Sequence, residues 1–273
     1  MGRKISFVKM QAAGNDFILI DNRHRHFTGS ESEFFRNLCD RHFGIGADGL
    51  MLLDYKIPSR FHLLYLNSDG KPAEMCGNGA RCAVYFMHLQ QPEQHEFTFQ
   101  VGSQMYRGEV LEKERVRIFW NTEPRIIREK EWNKSFTGDF PKALFIHSGV
   151  PHLVLYVADS LGEVDVAKWG SYFRHHPAFS PEGTNVDFVQ IRKDHLDIRT
   201  YERGVEAETL ACGTGALAAA VAAEFWGDSR LPLDIVAKGG VLRVGREEEK
   251  GAFWLEGPVK MVFSGYFDRS DFH

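Results

Sequence analysis

The chain has little cysteine: four residues in 273, Cys39, Cys76, Cys82 and Cys212, with no Cys-x-x-Cys pair. That scarcity excludes a disulfide-stapled scaffold, argues against a structural zinc site and suits a reducing, cytoplasmic setting. Positive charge is not in surplus either. Against 33 Lys and Arg stand 37 Asp and Glu, a net charge of −4 with no basic stripe, so neither nucleic acid nor an anionic membrane is an expected partner. No apolar run approaches the roughly 20 residues of a membrane span, and the start of the chain lacks the apolar core and cleavage site of a signal peptide. The opening "MGRKIS" fits a short acylation pattern, which we read as chance ahead of a strand near residues 5–10. The 12 histidines are scattered without helical ligand spacing, and no metal site is expected.

Two short stretches stand out. "EMCGNGARCAVYFM" (74–87) and "LACGTGALAAAVAAEF" (210–225) each set a cysteine before Gly-x-Gly at what reads as the first turn of a helix. Cys76 and Cys212 are 136 positions apart (212 − 76), about half the chain. Aligning the halves on the two cysteines brings further landmarks into order. "AAGNDFILID" matches "SGVPHLVLYV", "GADGLMLLD" matches "GTNVDFVQI", and "RFHLLYLNSDG" matches "HLDIRTYERG"; beyond each small-residue helix comes a hairpin ending in Phe-Trp. These alternating strands and short helices indicate a duplicated α+β chain. Helices are expected at about 31–42, 78–90 and 213–226. The boundary falls after residue 123, giving units 1–123 and 124–273, with 124–140 as the linker; the tail strand 259–267 has no counterpart at that point and is a candidate to cross back to the first unit.

A helix N-terminus presents unpaired N–H groups and the positive end of the helix dipole. Glycines there allow an anion to approach the backbone closely, and the same surroundings lower a thiol pKa toward neutrality. One such cysteine is ordinarily a buried residue at a tight turn. Two at duplicated positions suggest a pair that works together. One thiolate and one thiol on opposite faces of a carbon can invert a stereocentre by proton transfer, with the helix ends stabilising the carboxylate next to the developing carbanion. Nothing in the pattern calls for pyridoxal phosphate or any other cofactor. Cys39 and Cys82 lack this context and read as core residues.

With "GNDF" (14–17), "GIGADG" (44–49), "NSDG" (67–70), "CGNGARC" (76–82), "PH" (151–152), "TN" (184–185), "YERG" (201–204) and "ACGTGA" (211–216), the whole chain resembles the diaminopimelate epimerases. The resemblance implies two similar units, each a small β-barrel-like sheet around a central helix. It also implies a homodimer, formed partly through the terminal strand, that interconverts LL- and meso-diaminopimelate in lysine and peptidoglycan-precursor synthesis. On that basis Cys76 and Cys212 would be the acid/base pair, and the amides of Gly77, Asn78, Gly213 and Thr214 would hold the reacting carboxylate. Asn15, Asn67, Asn185, Glu202 and Arg203 would bind the remaining groups, and His152 and Glu202 would tune the thiols. The chain departs from the family at Val150, where Asn is usual, at Gly49, often Gln, and at Phe263, where relatives commonly carry Tyr; the loop before Cys212 is one residue longer. A proline or hydroxyproline racemase is the nearest alternative, although a ring substrate offers no distal charge for Arg203. A dithiol redox switch is the more distant one.

Overall fold

The computed structural model describes residues 4–73, 75–112, 114–120, 123–127 and 140–272. The acylation-pattern residues 1–3 and most of the expected linker, 128–139, lie outside them. The chain divides into two compact units, residues 1–119 with 257–273 and residues 120–256.

In the first unit, β1 (Lys4–Ala12) turns into an antiparallel β2 (Asn15–Asp21), and α1 (Ser32–Cys39) carries the chain across to β3 (Gly49–Ile57), parallel to β2. Then β4 (Arg60–Asn67) runs antiparallel to β3, and α2 (Gly77–Gln90) crosses to β5 (Glu96–Val101), parallel to β4. A meander of β6 (Gln104–Leu111) and β7 (Arg115–Trp120) completes the unit.

The second unit repeats the plan. It adds a short β8 (Arg125–Ile127) beside β9 (Ala143–His147), which pairs antiparallel with β10 (Pro151–Tyr156). Through α3 (Val166–Arg174) the chain reaches β11 (Asn185–Ile191), parallel to β10, and β12 (His195–Glu202) returns antiparallel. A stub, β13 (Ala207–Thr209), folds back on β12 before α4 (Gly213–Phe225). The hairpin β14 (Leu233–Ala237) and β15 (Gly240–Arg246), with β16 (Phe253–Pro258), closes the repeat, β14 lying parallel to β12. The alternation of antiparallel and parallel pairings is the same in both halves, so the duplication is present in the register as well as in the sequence.

Each repeat surrounds one buried helix. The run "GALAAAVAAEF" favours helix strongly and is apolar on all sides, the pattern of a helix enclosed by protein. Within α4, Gly213 and Gly215–Ala223 are buried, and strands β9, β10, β11, β12, β14 and β15 pack against it. In α2, Gly77–Val84 are buried under β1, β2, β3 and β6. The outer helices cover the other sheet faces: Phe35 and Leu38 of α1 join Ile18, Ile20 and Leu52 in one core, and Phe173 of α3 joins Leu153, Val186 and Phe188 in another.

Two sequence expectations differ from the structure. No helix was expected at 166–174, where polar residues interrupt the pattern; Asp165 caps α3 by accepting from the Lys168 amide at 3.0 Å. The boundary expected after residue 123 falls after Phe119, while the tail strand, a candidate to cross back to the first unit, does so: β17 (Lys260–Asp268) pairs antiparallel with β1 from Lys4↔Asp268 to Gln11↔Lys260.

Candidate active site

In the first unit Cys76 is the N-cap residue of α2. Its backbone is extended, and its Sγ accepts from the Gly79 N–H at 3.5 Å. A thiol held this way faces the open amides of the first turn, where a thiolate is favoured. The turn between β1 and β2 delivers Asn15, whose Oδ1 lies 3.9 Å from Cys76 Sγ and 3.4 Å from Asn78 Nδ2. The Asn15 amide donates to Asp48 at 2.5 Å. Asp48 and Asp16 are in turn bound by Arg41, and Asp16 also by Lys9 at 2.7 Å. This network holds the Asp16 carboxyl well below its usual range: burial opposes ionisation, and the hydrogen bonds to Arg41 and Lys9 outweigh it. Beneath the cap, Arg81 is fully buried and donates to Asn78 Oδ1 at 2.6 Å and to the Gly77 carbonyl at 3.4 Å. Met51, Leu63, Tyr65, Met75 and Val101 give Cys76 an apolar flank.

In the second unit Cys212 caps α4 in the same extended conformation. Its Sγ lies 3.4 Å from Thr214 Oγ1, which lies 2.9 Å from His152 Nε2; His152 Nδ1 is 2.7 Å from Asp187 Oδ2. Thr200 donates to the other Asp187 oxygen at 2.7 Å. His152 and Asp187 are wholly excluded from solvent. Burial pushes the Cys212 thiol well above its ordinary value, the charges of Glu202 and Asp187 push it further, and the Thr214 hydroxyl acts in the opposite direction. Asn185 donates to the Pro151 carbonyl at 3.0 Å and accepts from the Arg203 amide at 2.8 Å, tying the starts of β10 and β11 to the end of β12.

The structure therefore groups Asn15, Gly77 and Asn78 around Cys76, and His152, Asn185, Glu202, Arg203, Gly213 and Thr214 around Cys212. Asn67 is the exception: it ends β4 exposed, opposite Gly49, and only its backbone is hydrogen-bonded among the described residues. Val150, the family departure, uses its carbonyl to accept from the Ser148 amide at 3.1 Å. Sequence reasoning missed Asp48, Arg81, Asp187 and Thr200. Asp187 and Arg81 had a signal, a charge inside an apolar strand and another inside a small-residue helix, positions where a charged side chain is normally excluded. Among the described residues no group of three or more His, Cys, Asp or Glu forms a metal cluster.

The diaminopimelate epimerase family model matches residues 7–116 and 144–262, both repeats. The chain belongs to this family. A diaminopimelate epimerase of Chlorobaculum tepidum is 41% identical over 261 residues, covering 94% of this chain and 98% of the relative. One from Aquifex aeolicus is 39% identical over 275 residues, covering 96% and 97%. Among solved structures, a phenazine biosynthesis protein of the PhzF family from Bacillus anthracis superposes with a TM-score of 0.72 at 12% identity, covering 97% of this chain and 99% of that one. A hydroxyproline epimerase from Agrobacterium vitis does so with a TM-score of 0.61 at 13% identity, covering 98% and 94%. At such identities the likeness is of fold alone. The diaminopimelate epimerase fold is thus an α+β duplication that other families share.

Proposed function

We propose that this chain interconverts LL- and meso-2,6-diaminopimelate by two-base proton transfer without pyridoxal phosphate, Cys76 and Cys212 being the two acid/base groups. The observation that carries the reading is the cap position itself: in each repeat the cysteine, and no other titratable residue, opens the buried central helix. One sulfur, as thiolate, removes the α-proton; the other, as thiol, delivers a proton to the opposite face, and the two exchange roles for the reverse reaction. The amides of Gly77 and Asn78, with those of Gly213 and Thr214, stabilise the charge that develops on the neighbouring carboxylate. Asn15, Asn67, Asn185, Glu202 and Arg203 bind the amino groups and the distal carboxylate, which the planar Arg203 guanidinium suits. His152 and Glu202 tune the thiols.

The racemase alternative is less favoured, because relatives at 34–41% identity carry the diaminopimelate epimerase name while the proline racemase likeness stays at 16%. A homodimer and a cytoplasmic location complete the proposal. The dimer is supported by β17, where Met261, Val262, Phe263 and Tyr266 are 38–73% exposed. No helix of the described residues is long and apolar enough to cross a membrane.

The test is proton NMR of the purified protein with LL-diaminopimelate in D₂O. Deuterium is expected only at the α-carbon being inverted, with EDTA without effect. Full activity after Cys76→Ala or Cys212→Ala would defeat the reading, and so would turnover of proline in place of diaminopimelate.

A further inference from the structure

The two cysteine caps are built alike but surrounded by opposite charges. Arg81 lies one helical turn beyond Cys76, fully buried, and among the described residues it ion-pairs with no carboxylate. Among the described residues its guanidinium meets only neutral oxygens, those of Asn78 and Gly77, and its Nε has no partner. A permanently charged group buried like this is costly unless an opposite charge answers it. Among the described residues, the carboxylates that the Asn15 turn brings to the cap are already answered: Asp16 and Asp48 are shared between Lys9 and Arg41, two anions against two cations. Arg115, at the start of β7, adds positive charge to these surroundings and not negative. Among the described residues, the other groups whose charge acts on Arg81 are the sulfurs of Cys82 and Cys76. Cys82 lies wholly inside α2, where burial holds it protonated. Cys76 is at the cap, its sulfur already accepting from the Gly79 N–H.

The same position in the second repeat, 136 residues on, is Leu217, an apolar side chain buried in α4. There the charges that act on the thiol are the carboxylates of the buried Asp187 and the half-buried Glu202, which oppose a thiolate. We propose that Arg81 is the internal counter-cation that makes Cys76 the thiolate of the resting protein and leaves Cys212 as the thiol. Arg81 is a positioning residue. It acts through Cys76 and touches no reacting atom. The inference rests on the two-thiol reading above and adds which sulfur begins as the base.

The test reads each sulfur separately. Substrate-free protein is alkylated with iodoacetamide across a pH series, and peptide mass spectrometry gives the midpoint for Cys76 and for Cys212. The Cys76 midpoint is expected below the Cys212 midpoint by at least about one pH unit, and Arg81→Met should raise it by about 1–3 units, the range for removing an adjacent opposite charge. Arg81→Lys, which keeps the charge, should raise it less, and none of these changes should move the Cys212 midpoint. A merely structural Arg81 would leave the folded variant's Cys76 midpoint unchanged. That result, or a lower midpoint at Cys212 in the unmodified protein, would overturn the proposal. Should Arg81→Met not fold, Arg81→Gln makes the same comparison with the amide retained, and the order of the two midpoints in the unmodified protein decides by itself. No substrate is present, so these outcomes are independent of whether deuterium enters diaminopimelate.

Discussion

His152 and Asp187 form a solvent-excluded pair, Nδ1 to Oδ2 at 2.7 Å, with neither side chain exposed. An ionised Asp187 accepts from Nδ1–H, which leaves Nε2 to accept from the Thr214 hydroxyl; the Thr214 oxygen can then accept from the Cys212 S–H. When Cys212 gives up its proton, the same hydroxyl can turn to the thiolate. This explains why Thr214 is the side chain that lowers a thiol otherwise raised by burial and by two carboxylates. Asp187→Asn should break this order. With Thr200 donating to the amide oxygen, the amide nitrogen faces Nδ1 and forces the proton onto Nε2. We expect kcat to fall by at least about tenfold, as when an orienting carboxylate beside a catalytic His is made neutral, with KM within about threefold. Nitrogen NMR of His152 should show the other tautomer. An Asp187→Asn enzyme with kcat within twofold would refute the relay.

Thr214→Val tests the next link at nearly constant volume. Without the hydroxyl the Cys212 thiolate loses its hydrogen-bond donor, so the alkylation midpoint of Cys212 should rise and the reaction that needs Cys212 as base should slow more than its reverse. Thr214→Ser should restore both. Equal slowing in the two directions would contradict this.

Burial also sets an alkaline limit. In the folded chain the Cys39 thiol is raised from 9.0 to about 12 and the Tyr55 hydroxyl from 10.0 to about 12, chiefly by burial, and Cys82 is raised likewise. These acids are neutral when folded and ionise in the unfolded chain first. Above about pH 9 the unfolded state therefore releases protons that the native state keeps, and stability falls as pH rises toward the folded values. Cys39 alone should cost about 2 kcal/mol by about pH 10.5. Urea unfolding across this range should show the loss, and Cys39→Val should flatten it. A Cys39→Val profile parallel to that of the unmodified chain would assign the effect elsewhere.

Much of this organisation was legible because the chain states it twice. The repeated Cys-Gly-x-Gly located both caps and both central helices, and alternating strands gave the class. The duplication also contained α3, since α1 at 32–39 has its counterpart near 166–174, but the local pattern "VAKWGSYFR" with its Gly170 obscured it. The Asp187–His152–Thr214 chain was not legible, because it joins residues 35 and 62 positions apart through a parallel pairing of β10 with β11. Asn67 was named from a motif, and among the described residues its exposed side chain has no hydrogen bond that could have predicted or opposed the choice.

The terminal strand carries its own prediction. Met261, Val262, Phe263 and Tyr266 are exposed along β17, and Phe263 is partly anchored by an edge-to-face contact with Phe7 at 5.9 Å. Exposed apolar residues on an edge strand invite a second chain. Val262→Glu should turn a sedimenting dimer into a monomer without changing its far-ultraviolet spectrum. A monomeric unmodified protein would rule out the dimer.

The third residues of the two central helices, Gly79 and Gly215, separate packing from chemistry. Alanine is favoured over glycine in a helix by about 1 kcal/mol, so substitution should stabilise wherever the new methyl finds room. At Gly79 a Cβ would lie 2.2 Å from the Met51 methyl, the far end of a flexible side chain that can move aside. At Gly215 it would lie 2.6 Å from Asp187 Oδ1, an oxygen held in place by Thr200 and by the His152 pair. The two substitutions should therefore diverge. Gly79→Ala should leave stability within about 1 kcal/mol of the unmodified chain, helix preference offsetting the repacking of Met51. Gly215→Ala must displace Asp187 and break a buried hydrogen bond, at a cost of about 1–3 kcal/mol. The displaced carboxylate should also release the His152 tautomer, so Gly215→Ala should share the nitrogen NMR signature of Asp187→Asn while Gly79→Ala does not. If both alanines proved equally stable and His152 kept its tautomer in each, Asp187 would not be fixed where the relay needs it, and its role beside Cys212 would be lost.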